Sequence, residues 1–415
     1  MDRMKSRVFP GWYVVGAAHV LLTLIFGAAY SFGAFFVPIQ DSFAVGRFSV
    51  ASVFSLTAFI YYGAGVFSGA LADRTSPRAV VGAGVVLLAL GFFFSSYASG
   101  SLSLFIALFC SLVGLGVGLV YVPLVATVQR WFVIQRNQAS GIALAGTGVG
   151  TFIGPVAAGL LMQHLSWEST LRIFALVIAL VGLPMALLVR RSPQALGLLP
   201  DGARPGVGAP GPGVGTSQGM RLGEALGTAR FWCYFVAVFL GSVGLFSALV
   251  HINPYARALG VSSAQANLFI GLIGVGNIAG RLFLGRLGDR IGAHRLLLVL
   301  TLILGGLNGL WLGAQTPVTL GLFALLFGLA NGGCIALYPS VAAGWFGTAN
   351  LGAILGALYV SVGVAALAGG SLGGLLFDLY QSYSATIALG ALCALASAAF
   401  LQLAVRRNGS APIHA

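Results

Sequence analysis

Apolar runs of about twenty residues recur along the whole of this 415-residue chain, separated by short turns that carry most of its charge. They cover 11–38, 49–71, 78–98, 102–128, 139–164, 168–189, 231–256, 263–287, 294–314, 318–343, 351–377 and 384–404. A helix needs about 20 residues to cross a hydrocarbon layer ~30 Å thick, and each run is long enough. Composition agrees: 58% of residues are hydrophobic and 7% charged, against about 25% charged in a soluble domain. Such a chain has too little polar surface to face water, so its solvent is mostly lipid. The 61 glycines fit the same reading, because helices docking in lipid need small residues for close backbone contact. The expected fold is all-α and integral to the membrane, with twelve transmembrane helices. The first run is too long, and too poorly flanked by small residues, to be a cleaved signal.

A net charge of +13 raises nucleic acid as a partner. The bases, all arginine except Lys5, form no basic face with interleaved aromatics, which excludes that class. They act instead as topology signals. Arg3, Lys5, Arg7, Arg74, Arg78, Arg130, Arg136, Arg190, Arg191, Arg204, Arg221, Arg230, Arg286, Arg290, Arg295, Arg406 and Arg407 fall in turns on one side. Arg47, Arg172 and Arg257 fall on the other. Positive charge stays inside, so both termini are expected in the cytoplasm. Arg281 alone has no turn to occupy. The four cysteines (Cys110, Cys233, Cys334, Cys393) lie inside apolar runs without metal or disulfide spacing and read as packing residues. No cofactor or metal is expected.

Residues 192–220 are dense in Gly and Pro and read as part of a flexible cytoplasmic linker, 192–229, between two six-helix bundles at 1–191 and 230–415. Within it, Arg221 to Thr228 suits a short interfacial helix. The bundles repeat. Gly69, Leu71, Asp73 and Arg74 after the second run recur as Gly285, Leu287, Asp289 and Arg290 after the eighth. A weaker echo pairs Tyr121-Val-Pro123 and Trp131-Phe132 with Tyr338-Pro339 and Trp345-Phe346. Parallel repeats about an axis along the membrane normal imply a central cavity opening alternately to each side.

The doubled G-x-L-x-D-R turn resembles the signature of the major facilitator superfamily. Asp73 and Asp289, with Arg74, Arg290 and Arg136 nearby, are expected to form a cytoplasmic gate, the carboxylates accepting hydrogen bonds from helix N-termini and arginines. Finer features are similar to the monocarboxylate transporters and the related oxalate/formate exchangers. These are Gly11-Trp12 before the first helix, the stretch Trp131 to Gly141 entering the fifth, and Asn277-Ile-Ala-Gly-Arg281 in the eighth. The resemblance implies that Arg281 binds substrate.

Elementary physics reaches Arg281 independently. It lies eight residues before Asp289 and so about 12 Å deeper. An arginine there costs about 2.5–3.5 kcal/mol or more and stays protonated. The eight acids are Asp2, Asp41, Asp73, Glu168, Asp201, Glu224, Asp289 and Asp378, and none is expected at midplane depth. Two readings stand: a guanidinium satisfied by backbone carbonyls, or one whose counter-ion is the substrate, a carboxylate gripped by its planar fork. Asn277, one turn earlier on the same face, suits the carboxylate or a 2-hydroxyl. Tyr121, Tyr338 and Tyr30 either close the site or pack helices. His251 either contacts substrate or proton or is satisfied locally. Asp378 is a further proton-coupling candidate.

Exchangers of dicarboxylates carry a second base in helix eleven; 351–376 here has none. That favours a monocarboxylate such as lactate or pyruvate. The mammalian monocarboxylate transporters tie proton coupling to a lysine in helix one and an aspartate in helix eight, and the resemblance puts Tyr30 and Asn277 at those positions. Proton symport with a different carrier is the leading expectation, with an anion exchanger and a non-transporting sensor on the same fold as rivals. An enzyme is not expected: there is no acid/base or nucleophile constellation, and the run Gly146-Thr-Gly148-Val-Gly150 lies within a helix without the Lys-Ser/Thr of a phosphate loop. The partners expected are the small organic anion, a proton and the lipid bilayer, with no obligatory protein partner. A bacterial inner membrane is the expected location. The first half is expected to supply a mostly apolar wall.

Overall fold

A computed structural model describes residues 9–45, 47–202 and 219–406. Arg3, Lys5, Arg7, Arg204 and Arg407 lie outside the described residues, as do 203–218 of the linker and the side chains of Arg47 and Asp378.

The elements are α1 (Gly11–Tyr30), α2 (Phe32–Phe43), α3 (Arg47–Arg74), α4 (Pro77–Ser95), α5 (Leu102–Leu108), α6 (Gly114–Trp131), α7 (Arg136–Leu161), α8 (Trp167–Leu188), α9 (Leu222–Leu226), α10 (Ala229–Ala258), α11 (Ser263–Ile291), α12 (Ala293–Gly313), α13 (Pro317–Phe346), α14 (Leu351–Tyr380) and α15 (Ser384–Arg406). Among the described residues eleven helical runs are long and apolar enough to cross a membrane. The run read at 49–71 is α3, a helix of 28 residues.

Local chemistry explains where these helices start and break. Ser101, Ser166, Thr228 and Ser262 each accept a backbone N–H of the first turn with the side chain, which caps α5, α8, α10 and α11. Pro77 opens α4, where its missing N–H costs nothing. Gly292 sits at φ 95° and turns the chain from α11 into α12, a conformation only glycine adopts without strain. The first run is divided at Ser31 into α1 and α2. The fourth is divided by a π-turn, Phe109–Val113, between α5 and α6.

The chain forms two compact units. One comprises residues up to Gly219 together with Gly347–Gly356, and the other comprises Met220–Phe346 and the residues from Ala357 onward. Helix α14 therefore begins in the first unit and continues in the second. The start of the linker is built rather than loose. Pro193–Leu196 and Pro200–Gly202 form 3-10 turns. The Asp201 carboxylate accepts the backbone N–H groups of Val133 (2.8 Å), Ile134 (2.9 Å) and Gln135 (3.2 Å) in the turn before α7. Helix α9 occupies the Arg221–Thr228 stretch.

In each unit glycines bring a helix pair into backbone contact. In the first, Gly146, Gly150 and Gly154 of α7 lie against the carbonyls of His19, Thr23 and Gly27 of α1, so any Cβ there would collide with backbone. The glycine run 146–150 is thus a packing ladder. In the second, the contact is reciprocal: Gly276 and Gly280 of α11 lie against the Leu325 and Leu329 carbonyls of α13. In turn, Gly328 and Gly332 of α13 lie against the Ile273 and Asn277 carbonyls.

Candidate functional site

The reciprocal glycine contact fixes the helix that carries the arginine. Gly280 holds α11 against α13, and Arg281 follows it directly, buried to 8% relative exposure. Asn277 lies one turn earlier on the same helix, half-buried. Its Nδ2 donates to Oδ1 of Asn331 on α13 at 3.0 Å, and Asn331 is itself 2% exposed. A cationic fork and an amide thus share one face of α11, with the amide braced from α13. Asn331 was absent from the residues singled out above. The available signal was a lone amide in an apolar run, followed at once by Gly332-Gly333.

The other predicted residues of this unit are distributed along it. Tyr338 of α13 is buried against α10: its hydroxyl lies 3.2 Å from the position a Cβ on Gly241 would take. Its backbone carbonyl accepts the Tyr234 hydroxyl at 2.8 Å. His251 is buried further along α10, ten residues past Gly241, or about 15 Å. There it contacts Gly373 of α14 and the ring of Tyr383, with centroids 5.7 Å apart. Counted from the turn joining α10 to α11, His251 lies about 10 Å deep and Arg281 about 27 Å. The structure therefore groups Asn277 with Arg281 and sets His251 in a separate aromatic layer with Tyr255, Phe377 and Tyr383. Asp378 is in α14, with its side chain outside what is described.

The first unit gathers Tyr30 and Tyr121 around one ring. Phe26 stacks on Tyr30 (6.0 Å) and meets Tyr121 edge-on (5.4 Å), and Tyr30 meets Phe54 at 5.8 Å. Helix α3 adds Tyr61 and Tyr62, whose rings lie 4.3 Å apart and whose hydroxyls are within electrostatic reach of Tyr30 and Tyr121. The expected apolar wall is therefore amended: this unit carries a cluster of four phenols. Tyr62 is half-buried, and one aromatic beside another in a lipid-spanning helix carries no local pattern that sets it apart from packing.

At the G-x-L-x-D-R turn, Asp73 is buried and forms an ion pair with Arg130 of α6. It also accepts the Ala353 N–H in the first turn of α14 at 3.0 Å. Arg130 Nε donates to the Thr348 carbonyl at 3.0 Å, and Arg191 donates to the Asp73 carbonyl. The carboxylate thus meets both kinds of partner expected of it, a helix N-terminus and a guanidinium, but the guanidinium belongs to Arg130. Arg74 and Arg290 are exposed, and Asp289 is half-buried near the end of α11. Arg136 donates to the Phe132 carbonyl at 3.0 Å. Arg130 lies 57 residues from Asp73 in sequence, so no local pattern marks it as the partner.

Membrane-length helices in a doubled six-run pattern, with a guanidinium buried in the second half, define an integral membrane protein of the solute-transporter class. The chain belongs to the Major Facilitator Superfamily, whose profile matches residues 19–307 and 242–413. It is related to the monocarboxylate transporters, with 29% identity to monocarboxylate transporter 13 of Bos taurus over 394 residues, 94% of this chain and 88% of that one. It is 27% identical to the oxalate:formate antiporter of Oxalobacter formigenes, covering 87% of this chain and 84% of that one. Among solved structures, the E. coli fucose:proton symporter shares the fold at a TM-score of 0.71 and 17% identity, over 94% of this chain and 99% of that one. These relatives are transporters rather than enzymes, and so is this chain.

Proposed function

We propose that this protein is a secondary active transporter of a small monocarboxylate of the lactate or pyruvate kind, working by alternating access and coupled to protons. The observation that carries the reading is Arg281, buried on α11 beside the braced amide of Asn277. A guanidinium offers a planar pair of donors matched to a carboxylate, and a bound carboxylate offsets its charge and so lowers the cost of enclosing it. Substrate then favours the occluded state by binding it better. The absence of any base in α14 supports a monovalent acid, and the relatives named for monocarboxylates support the class. His251 is the proton-carrier candidate, with Asp378 as the second. Asp73 and Arg130, with Asp289 of the repeated turn, form the gate. We place the protein in a bacterial cytoplasmic membrane with both termini inside, acting without an obligatory protein partner.

The test is labelled lactate uptake into proteoliposomes. Arg281→Ala and Arg281→Lys should each lower uptake, Ala by about 100-fold or more, since charge-assisted bidentate bonds are lost. Near-normal uptake by the Ala variant overturns the site. An exchanger is the second reading, favoured by the oxalate:formate relative. Uptake driven by an acidic exterior supports symport, uptake only against internal anion supports exchange, and binding without flux supports a sensor.

A further inference from the structure

Helix α1 carries a histidine that the site described above does not use. His19 lies eight residues into the helix, about 12 Å along it, within the membrane-length run Gly11–Phe36. Its ring is half-buried. Nδ1 lies 2.7 Å from the backbone carbonyl oxygen of Ile142 on α7. A carbonyl oxygen only accepts, so Nδ1 carries the hydrogen and donates it. Turning the ring over would set a carbon against that oxygen, so the pairing has one sense. The backbones are fixed here as well, because Gly146 of α7 lies against the His19 carbonyl. With Nδ1 engaged, proton exchange falls to Nε2. Among the described residues Nε2 has no hydrogen-bond partner, and it is open rather than sealed in the core.

At 3.6 residues per turn, His19, Thr23, Phe26 and Tyr30 fall within about 60° of one another on α1. Phe26 and Tyr30 turn this face toward Tyr121 of α6 and Phe54 of α3. His19 thus shares a face with the phenol cluster, about 16 Å nearer the start of the helix. Titratable groups inside membrane-spanning helices are costly and face a solute or proton path, and imidazole is the one suited to exchanging a proton at physiological pH. The helices packed on α1 are α2, α6, α7 and α8. Helix α7 carries Arg136 alone, at its first residue, about 9 Å before Ile142. Helix α6 carries Tyr121 and Arg130, and Arg130 is paired with Asp73 of α3. Helix α3 adds the phenols Tyr61 and Tyr62. Glu168 and Arg172 lie at the start of α8, whereas the residue opposite Leu24 is Gly182, about 21 Å beyond Glu168. Asp41 of α2 lies past Tyr30 in the chain, and α1 itself adds Tyr13 and Tyr30. A proton on Nε2 is therefore a charge that finds no free carboxylate at its level on these helices.

We propose that His19 is a proton-binding site of the transport cycle. Nε2 takes a proton from water on one side of the membrane and returns it to water on the other, with the carried anion as the counter-charge. The inference rests on the proton-coupled reading above and adds a group in the first unit to His251 and Asp378 in the second. Anion and proton each make the other's binding more favourable, and that reciprocity makes them travel together. The bond from Nδ1 to Ile142 holds the ring so that the accepting nitrogen stays on the open side in both protonation states.

The experiment measures labelled lactate uptake by the full-length protein in proteoliposomes, once with an acidic exterior and once as counterflow at equal pH. The readout is the ratio of the two. His19→Asn keeps an N–H within reach of the Ile142 carbonyl and has no counterpart of Nε2. It should lower the ratio by about ten-fold, the size of a typical coupling between two bound ligands. His19→Gln, which also lacks a titratable nitrogen, should lower it as well. A histidine that only ties α1 to α7 predicts otherwise: the ratio stays at the wild-type value in His19→Asn, and both modes fall together in His19→Gln. Ring-15N spectra of the wild type need no variant. They should show one imidazole fixed as the Nδ1–H tautomer whose Nε2 takes up a proton when lactate is added, and the absence of such a histidine overturns the proposal. A wild type indifferent to the acid gradient overturns the proton-coupled reading and this inference with it. A wild type that responds, beside a His19→Asn protein with an unchanged ratio, overturns the role of His19 alone.

Discussion

Asp73 and Arg130 bury opposite charges against each other, with side-chain exposures of 3% and 7%. Two charges in such a place hold one another in check, and removing one strands the other, typically at about 3–5 kcal/mol. Arg130→Ala should therefore lower the thermal midpoint in detergent by several degrees, and Asp73→Asn should do the same. Combining Arg130→Ala with Asp73→Asn should cost less than the sum, because neither buried charge is then left alone. A strictly additive double variant would contradict the pairing. Arg74 and Arg290 are exposed, so their alanine variants should stay within about 0.5 kcal/mol of the parent. The sequence marked Asp73 through its repeated motif but did not reveal Arg130. A partner brought in by folding from 57 residues away leaves no local pattern to read.

At the scale of elements, the two close helix pairs behave like threaded parts: glycine is required where backbone meets backbone and dispensable where it does not. Gly280→Val places a branched side chain into the Leu329 carbonyl and should prevent stable insertion or lower the yield of folded protein sharply. Gly274→Ala, on the same helix with open space at its Cβ position, should be neutral or slightly favourable, since alanine has the higher helix propensity. Equal tolerance at both positions, measured by fluorescence-detected size exclusion, would disprove the interlock. The Asp201 clasp makes a separate prediction. Asp201→Ala removes three hydrogen bonds from the turn before α7 and should speed protease cleavage within 192–202 several-fold at low protease concentration. Unchanged cleavage would mean that the clasp holds nothing. The Gly/Pro content suggested a loose connection there, and composition alone did not reveal that one aspartate at φ 58° ties its first part down.

For the whole molecule, the uneven distribution of arginine predicts orientation. With native cysteines replaced, Arg257→Cys should react with a membrane-impermeant maleimide in intact cells. Arg221→Cys should react only after the membrane is opened. Labelling in the reverse order would invert the topology and, with it, the side on which the Asp73 turn acts. The doubled sequence signature and the doubled six-run pattern agree, and Arg281 breaks the symmetry: the residue at its place in the first repeat is Gly65. At the same offset Tyr61 stands in the first repeat where the second has Asn277, a phenol in place of an amide.

The sequence alone determined that this is a membrane protein of repeated helices with one arginine too deep to be a topology signal. Those properties follow from hydrophobic length, glycine content and the cost of charge in lipid, which depend on residues near one another in the chain. Only the tertiary structure decided that Arg130 and not Arg74 meets Asp73, that His251 lies in a layer apart from Arg281, that Tyr62 joins Tyr30 and Tyr121, and that Asn331 braces Asn277. Each of these is a contact between helices, set by which faces the glycine ladders bring together, and such a choice is made by packing after the helices have formed.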